Sequence, residues 1–347
     1  MTISEEKILN ALRTVIDPDL KRDVVSLGFI KDLKIEGGRV SFNLELTTPA
    51  CPLKAQLKTA AEEAVKMVEG VTEAHVEVTS NVSAHRVQGG EEMLPDVKNI
   101  VAIASGKGGV GKSTISVSLS VALAGSGAKV GLLDTDIYGP SIPIMMGVTE
   151  RPEIKGEKLI PIIKYGVSLM SIGFLIAEDT PLIWRGPMVM KAVEQLLTDV
   201  EWGELDYLLV DLPPGTGDVQ LTLAQKVPLS GTVIVTTPQD VALLDVVRGI
   251  AMFNKLNVPV LGVIENMSFF LCPHCGERTD IFSHGGGEAA AKKLGVPFLG
   301  EVPIDLKIRA GGDAGRPILV DDPESPQSKV FIRIGEQLAA RISSLGR

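Results

Sequence analysis

Aromatic residues are scarce in this sequence. Phe, Trp and Tyr make up only 4% of the 347 residues, whereas 45% of the chain is hydrophobic. Val, Ile, Leu and Ala must therefore fill the core, which favours an aliphatic α/β interior over a β-sandwich. The chain is also longer than one typical domain of about 100 to 200 residues. We expect one large domain and one smaller domain.

The sequence also lacks an excess of basic residues, and it lacks long uncharged apolar segments. The formal net charge is -9, which disfavours nucleic acid and anionic membranes as partners. The most apolar uncharged stretch, residues 165–177, is shorter than the roughly 20 residues that a membrane-spanning helix needs. The first residues contain no basic segment followed by an apolar one, so a secretory signal is not predicted. We therefore expect a cytoplasmic protein.

Cysteine is rare, and its odd count suits a reducing compartment better than a disulfide framework. The three cysteines are Cys51, Cys272 and Cys275, the last two in the sequence Cys-Pro-His-Cys. Neither a thioredoxin-like domain nor a second C-x-x-C, as a zinc ribbon needs, accompanies the pair. His274 and His284 are candidate additional ligands. The simplest completion is a two-fold dimer whose four thiolates hold a [4Fe–4S] cluster or zinc.

The apolar pattern changes along the chain and divides it into parts. Residues 1–87 are predicted to form a small α+β domain, with a helix at 4–15, a hairpin at 29–47, a helix at 53–69 and a strand at 72–80. Residues 88–98 are polar and contain Gly and Pro, which is typical of a linker. In residues 99–347 short apolar strands alternate with helical segments. That alternation predicts an α/β domain with a mostly parallel sheet covered by helices on both faces.

A phosphate-binding loop is predicted at residues 106–113. This stretch matches G-x-x-x-x-G-K-[ST] and lies between an apolar strand and a helix. Backbone N–H groups of such a loop surround phosphate oxygens, Lys112 bridges the terminal phosphates and Ser113 ligates Mg²⁺. The residues expected to bind the nucleotide here are Gly106, Lys107, Gly108, Gly109, Val110, Gly111, Lys112, Ser113 and Thr114.

Acidic residues follow two of the predicted strands. Asp134 and Asp136 come after the strand at 130–133, and Asp211 comes directly after the strand at 207–210. Ligands of open parallel sheets bind at the carboxyl ends of the strands, so these acids are expected beside the phosphate loop. Asp211 is the candidate Mg²⁺ ligand, directly or through water.

The loop Gly-Lys-Gly-Gly-Val-Gly-Lys-Ser-Thr resembles the deviant Walker A motif of the MinD/ParA class of P-loop NTPases. In that class the second lysine, here Lys107, acts across a nucleotide-sandwich dimer. The resemblance further implies that Asp136 positions the attacking water, with Asp134 in support. It also implies that Asn266 and Pro303 frame the adenine.

Residues 98–345 resemble the Mrp/ApbC-like iron–sulfur cluster carrier ATPases. The motifs that carry the resemblance are the phosphate loop, L-L-D-T-D-I-Y-G-P-S, W-R-G-P-M, V-D-L-P-P-G-T-G-D, E-N-M-S and C-P-H-C. The first 87 residues resemble a SufT-like iron–sulfur assembly domain through Asp17-Pro18-Asp19 and the Thr-Thr-Pro-Ala-Cys-Pro stretch that contains Cys51. Neither Cys51 nor Arg185 of the W-R-G-P-M motif has a role that the sequence defines.

The family resemblance implies a homodimeric ATPase, slow as a single chain, that uses ATP and Mg²⁺. It implies a [4Fe–4S] cluster held between two subunits by Cys272 and Cys275 and delivered to apo iron–sulfur proteins. One alternative is a MinD/ParA-like positioning ATPase, which predicts a basic amphipathic tail. The apolar stripe of the C-terminal helix is more typical of a packed core helix; its members are Val330, Ile334, Leu338, Ile342 and Leu345. A zinc chaperone is the other alternative, since thiolates accept both metals.

Overall fold

The computed structural model of the chain describes residues 3–18, 20–85, 93–137, 139–175, 186–215 and 217–345. The chain forms two compact units, the first made of residues 1–83 and 339–347 and the second of residues 84–338. Part of the predicted linker, residues 88–92, lies outside the described residues, as do Asp19 and Arg185. Leu94 and Val97 are buried in the core of the second unit. Residues 93–98 of the predicted linker are therefore part of that unit and not a free linker.

The first unit contains a short mixed sheet covered by two helices. Its elements are α1 Glu5–Leu12, β1 Ile16–Asp17, β2 Arg22–Asp23, β3 Ile30–Glu36, β4 Arg39–Leu46, α2 Lys54–Lys66 and β5 Glu73–Ser80. Strands β3 and β4 pair antiparallel, as the hairpin pattern predicts, and β4 pairs parallel with β5. Alternate residues of β4 are buried because successive side chains of a strand point to opposite faces. Those buried residues share one hydrophobic core with α1 and α2.

The chain from residue 93 onward contains the remaining elements. The strands are β6 Val97–Ser105, β7 Val130–Asp134, β8 Ile154–Lys155, β9 Lys158–Leu159, β10 Ile162–Lys164, β11 Val167–Ser171, β12 Leu205–Asp211, β13 Gly231–Thr236, β14 Val260–Glu265, β15 Phe270–Leu271, β16 Arg278–Thr279 and β17 Phe298–Glu301. The helices are α3 Lys112–Gly125, α4 Ile142–Met145, α5 Gly186–Thr198, α6 Asp218–Lys226, α7 Asp240–Lys255, α8 Gly286–Leu294, α9 Leu306–Asp313, α10 Ile318–Asp321 and α11 Pro326–Ser343.

A large sheet organises the second unit. Eight strands lie in the order β10-β11-β7-β12-β6-β13-β14-β17, and all neighbours are parallel except β10 and β11. This confirms the predicted mostly parallel sheet. Strand β6 pairs with β12 on one side and β13 on the other. The loop after β6 therefore opens at the point where the strand order reverses, which is where open α/β sheets bind ligands.

The C-terminal helix α11 is a packed helix. Ile334, Leu338 and Ile342 of its apolar stripe are at most 2% exposed. An apolar stripe that is already buried is not available for a membrane. Within the described residues, no helix combines the length and the apolar character needed to span a bilayer.

Candidate functional site

The phosphate loop joins the end of β6 to the start of α3. Gly109 and Gly111 have φ angles of +80°, a region that glycine enters without the steric cost of a Cβ atom. Helix α3 begins at Lys112, so its first free N–H groups and the positive end of its dipole lie at the loop. The strand, loop and helix predicted from the sequence are all present. This arrangement can bind an anion such as a phosphate group.

Gly106 lies tightly against helix α7. A Cβ atom at this position would be 3.0 Å from the carbonyl carbon of Asp245 and closer still to its Cβ. We expect Gly106→Ala to lower the apparent melting temperature by about 4 °C or more, since overpacking costs about 1–3 kcal/mol. Gly108→Ala is the matched control, because the nearest atom to a Cβ there is 4.0 Å away. Thermal unfolding of both variants without nucleotide tests this, and equal losses would contradict it.

Asp211 is buried at the end of β12, and its carboxylate accepts hydrogen bonds from three side chains of α3. Its Oδ2 accepts hydrogen bonds from Lys112 Nζ at 2.6 Å and from Ser113 Oγ at 2.8 Å. Its Oδ1 accepts from Ser116 Oγ at 2.5 Å. Lys112 and Ser113 of the phosphate loop thus lie beside Asp211, as expected for an acid at the carboxyl end of a neighbouring parallel strand. Ser116 was not predicted, although its position one helical turn after Ser113 places it on the same face of α3.

Asp136 and Asp134 occupy different environments after β7. Asp136 Oδ2 is 3.6 Å from Lys112 Nζ, and Asp136 lines the cavity of the phosphate loop. Asp134 is fully buried, where its carboxylate accepts from the backbone N–H of Asp136 at 3.1 Å and from Ser171 Oγ at 2.9 Å. Asp134 therefore holds the turn that carries Asp136. Burial raises the pKa of Asp134 to about 7, and the negative charge of Asp211 adds to this effect.

The raised pKa of Asp134 predicts a pH-dependent stability. The folded chain holds this proton more tightly than the unfolded chain, whose carboxyl titrates near 3.8. The contribution to stability is therefore present below about pH 4 and lost as the pH rises to about 7. Asp134→Asn imitates the protonated acid, so we expect a smaller fall in apparent melting temperature between pH 5 and pH 7.5 than in the unsubstituted chain. Thermal unfolding at both pH values measures this, and an unchanged fall would argue against the assignment.

Two adjoining cavities open at the loop. The smaller has a volume of about 220 Å³ and is lined by the phosphate loop, Asp136 and Pro214. The larger has about 700 Å³ and shares Thr114, Ser141 and Met145 with the first. Its other wall residues include Ile144, Asn266, Ile281, Phe282, Pro303 and Ile304. A small cavity lined by the phosphate loop, Lys112 and Asp136 beside a larger, mainly apolar one has the shape that a phosphate group and an attached ring system require.

Asn266 contacts the phosphate loop directly. Its Nδ2 donates to the carbonyl oxygen of Val110 at 2.9 Å, and a Cβ atom at Gly111 would collide with the same amide. Asn266 and Pro303, the two predicted adenine contacts, both line the larger cavity. Asn266 thus also fixes the conformation of the loop.

Lys107 lies at the wall of the small cavity in its own chain. Its Nζ donates to Gln239 Oε1 at 3.2 Å, just before α7, and the residue is half-buried. Gln239 was not predicted as a site residue, and an isolated glutamine at a helix start gives no signal in the sequence.

Cys272 and Cys275 lie at the tip of a small hairpin formed by β15 and β16. The backbone N–H of Gly276 donates to the carbonyl oxygen of Cys272 at 2.8 Å, which closes the turn. The backbone N–H groups of Cys275 and His274, and then the Cys275 thiol, lower the pKa of the Cys272 thiol. Cys272 is half-buried and Cys275 is exposed. The thiolate is the form that binds metals, so this turn favours metal ligation.

The cysteine pair lacks further ligands within the described part of its own chain. There, no cluster of three or more metal-ligating side chains includes Cys272 or Cys275. His284 instead lies with Glu265 and Glu301. Cys51 is half-buried in the first unit, just before α2.

Comparisons with known proteins agree with this geometry. The family of NUBPL iron-transfer P-loop NTPases matches residues 96–339, and an iron-sulfur cluster assembly protein family matches residues 5–78. The chain is 50% identical to the iron-sulfur cluster carrier protein of Synechocystis over an alignment that covers 98% of both chains. These matches confirm the resemblance to iron–sulfur cluster carrier ATPases.

Solved structures share the fold of the second unit. A nucleotide-binding protein of Archaeoglobus fulgidus in complex with ADP is 40% identical, with a TM-score of 0.61 over 69% of this chain and 94% of that one. The cell division ATPase MinD of Pyrococcus furiosus is 25% identical, with a TM-score of 0.53 over 69% of this chain and 97% of that one. The phosphate loop, the buried acids beside it and the family match together show that the chain belongs to the NUBPL iron-transfer P-loop NTPases.

Proposed function

We propose that the protein is a homodimeric ATPase that carries a [4Fe–4S] cluster and delivers it to apo iron–sulfur proteins. The observation that carries the proposal is the exposed Cys272–Cys275 hairpin in a chain that also holds a phosphate loop. The backbone lowers the pKa of the first thiol, and no third metal-ligating side chain of the described residues joins the pair. The name of the Synechocystis relative, an iron-sulfur cluster carrier protein, supports the same function.

The cluster is the cargo of this protein and requires two chains. Four thiolates hold a [4Fe–4S] cluster in the common case, and each hairpin supplies two. A two-fold axis beside the hairpins brings both pairs together, because such an axis places the same surface of each subunit face to face. A site divided between subunits also opens when the subunits separate, which suits a carrier that must release its cargo.

The residues around the phosphate loop fit ATP with Mg²⁺. Ser113 and Asp211 offer the hydroxyl and carboxylate oxygens that Mg²⁺ prefers, and Lys112 lies beside them. When Lys112 turns to the phosphates it leaves Asp211, whose carboxylate then becomes available to the metal. Ser116 still donates to the other oxygen of Asp211 and keeps it oriented.

The remaining site residues have proposed roles around the same nucleotide. Asp136 orients the attacking water from the turn that Asp134 holds. Asn266 and Pro303 contact the adenine in the larger cavity. Lys107 leaves Gln239 and reaches the phosphates of the partner subunit, which makes hydrolysis slow in a single chain.

A cluster-transfer assay tests the proposed function. The chain is reconstituted with iron and sulfide without oxygen, freed of unbound iron, and mixed with an apo enzyme whose activity requires a [4Fe–4S] cluster. We expect activity to return faster than with equal amounts of free iron and sulfide, in the presence of a chelator that captures released iron. No advantage over free iron would contradict the carrier function. Zinc without sulfide in protein purified anaerobically would instead favour the zinc chaperone.

A further inference from the structure

A segment that follows the cysteine hairpin forms part of the nucleotide cavity. Residues 280–285 connect β16 to α8, and Ile281 and Phe282 within this segment line the 700 Å³ cavity together with Asn266 and Pro303. Ile281 is 51% exposed and Phe282 is 38% exposed. These large apolar side chains therefore face a space that a nucleotide base would fill.

The side chain of Arg278, a residue of the hairpin, contacts Asp280 and His284 near the two ends of this segment. Its Nε donates to Asp280 Oδ1 at 3.0 Å, and its Nη2 is 2.7 Å from Nδ1 of His284. Arg278 itself lies on β16, where it pairs with Leu271, the residue directly before Cys272. One side chain thus connects the cavity wall to the strand pair that carries the thiols.

The other strand of the hairpin also leads back to the nucleotide site. Asn266, which holds Val110 of the phosphate loop, precedes Cys272 by only six positions. Between them, the carbonyl oxygen of Phe269 accepts from the backbone N–H of Ile304, another cavity residue, at 2.7 Å. Both strands of the cysteine hairpin are therefore anchored to residues that border the cavities.

We propose that Ile281 and Phe282 are positioning residues through which the bound nucleotide and the cluster ligands influence each other. The proposal rests on the proposed function, since it requires a base in the larger cavity and a cluster on the hairpin. A purine ring in the cavity would cover both side chains and restrict the segment. Through Arg278 the same restriction reaches Cys272 and Cys275. By thermodynamic linkage, the cluster must then change nucleotide affinity by the same factor as the nucleotide changes cluster affinity.

The test compares the dissociation constant of Mg²⁺-ADP, measured by calorimetry without oxygen, between cluster-free and reconstituted full-length chain. We expect the two constants of the unsubstituted chain to differ by about fivefold or more. Phe282→Ala is expected to bring them within about twofold of each other, whereas Phe282→Leu retains most of the difference because it keeps an apolar contact. Leu306→Ala is the matched control, since Leu306 is exposed beside the cavity residue Asp305 but lies outside the hairpin.

The outcomes separate this inference from the proposed function. If the unsubstituted chain takes up the cluster but binds Mg²⁺-ADP with the same dissociation constant in its cluster-free and reconstituted forms, the inference is overturned. The carrier function is not affected by that result. The inference is also overturned if the two dissociation constants of Phe282→Ala differ as much as those of the unsubstituted chain. A chain that takes up no cluster contradicts the proposed function and the inference together. If Phe282→Ala does not fold, Ile281→Ala replaces it, and an undiminished difference in that variant is equally decisive against the inference.

Discussion

Cys272→Ala and Cys275→Ala are each expected to abolish cluster retention while leaving nucleotide binding equal to that of the cluster-free unsubstituted chain. In the proposed dimer either substitution removes two of the four thiolates, because each chain contributes the same pair. Two thiolates on opposite subunits do not replace a four-thiolate site. The phosphate loop is made of different residues, and its contacts to Lys112 and Asp211 do not involve the hairpin. Compared with the cluster-free unsubstituted chain, nucleotide affinity should therefore change by less than about twofold, within the scatter of surface substitutions.

Anaerobic reconstitution followed by visible absorption, iron and sulfide analysis and sedimentation measures this result. We expect one [4Fe–4S] cluster per dimer in the unsubstituted chain. Cys51→Ala is the matched control, since Cys51 belongs to the first unit, and it should retain the cluster. One cluster per monomer, or retention after loss of Cys275, would rule out the bridged site.

The nucleotide site could be predicted from the sequence because its main residues are close together along the chain. The glycines, Lys112 and Ser113 lie within one loop between a strand and a helix, so a local pattern specifies them. Asp211 follows from a general rule about the carboxyl ends of parallel strands. The mostly parallel sheet could be predicted because strands buried on both faces are apolar without interruption.

Contacts between distant segments could not be predicted in the same way. Ser171 reaches Asp134 because β11 pairs with β7 in a register that places these two residues side by side. Strand β11 lies in the uncharged apolar stretch 165–177, for which the sequence pattern predicts no strand. Arg278 of β16 lies 3.6 Å from Glu301 of β17, a contact between separate strands for which neither periodicity nor spacing gives a signal. Leu94 is buried in the core although the polar residues around it in the sequence predict a linker.

Lys112→Ala is expected to abolish nucleotide binding, whereas Lys107→Ala should spare binding and lower hydrolysis by about 10³-fold or more. Lys112 is only 5% exposed and lines the small cavity, so we expect its charge to serve the phosphates bound at the site of its own chain. Among the hydrogen bonds of the described residues, the side chain of Lys107 makes one, to Gln239 of its own chain. It is therefore free to leave for a partner's phosphates.

Nucleotide affinity and phosphate release under saturating Mg²⁺-ATP measure both effects. Lys129→Ala is a suitable control, because Lys129 is exposed and paired with Glu204 away from the loop. We expect it to change neither quantity. Equal loss of binding in Lys107→Ala and Lys112→Ala would contradict the separate roles of the two lysines.

Mixing the two variants distinguishes action across the dimer from action within one chain. In a mixed dimer, the Lys107→Ala subunit binds ATP with its intact Lys112, and the Lys112→Ala subunit supplies an intact Lys107 to that site. Random pairing makes half of the dimers mixed, each with one complete site, so about a quarter of the hydrolysis rate should return. If Lys107 served the site of its own chain, every site in the mixture would lack one of the two lysines. The mixture would then remain as inactive as either variant alone.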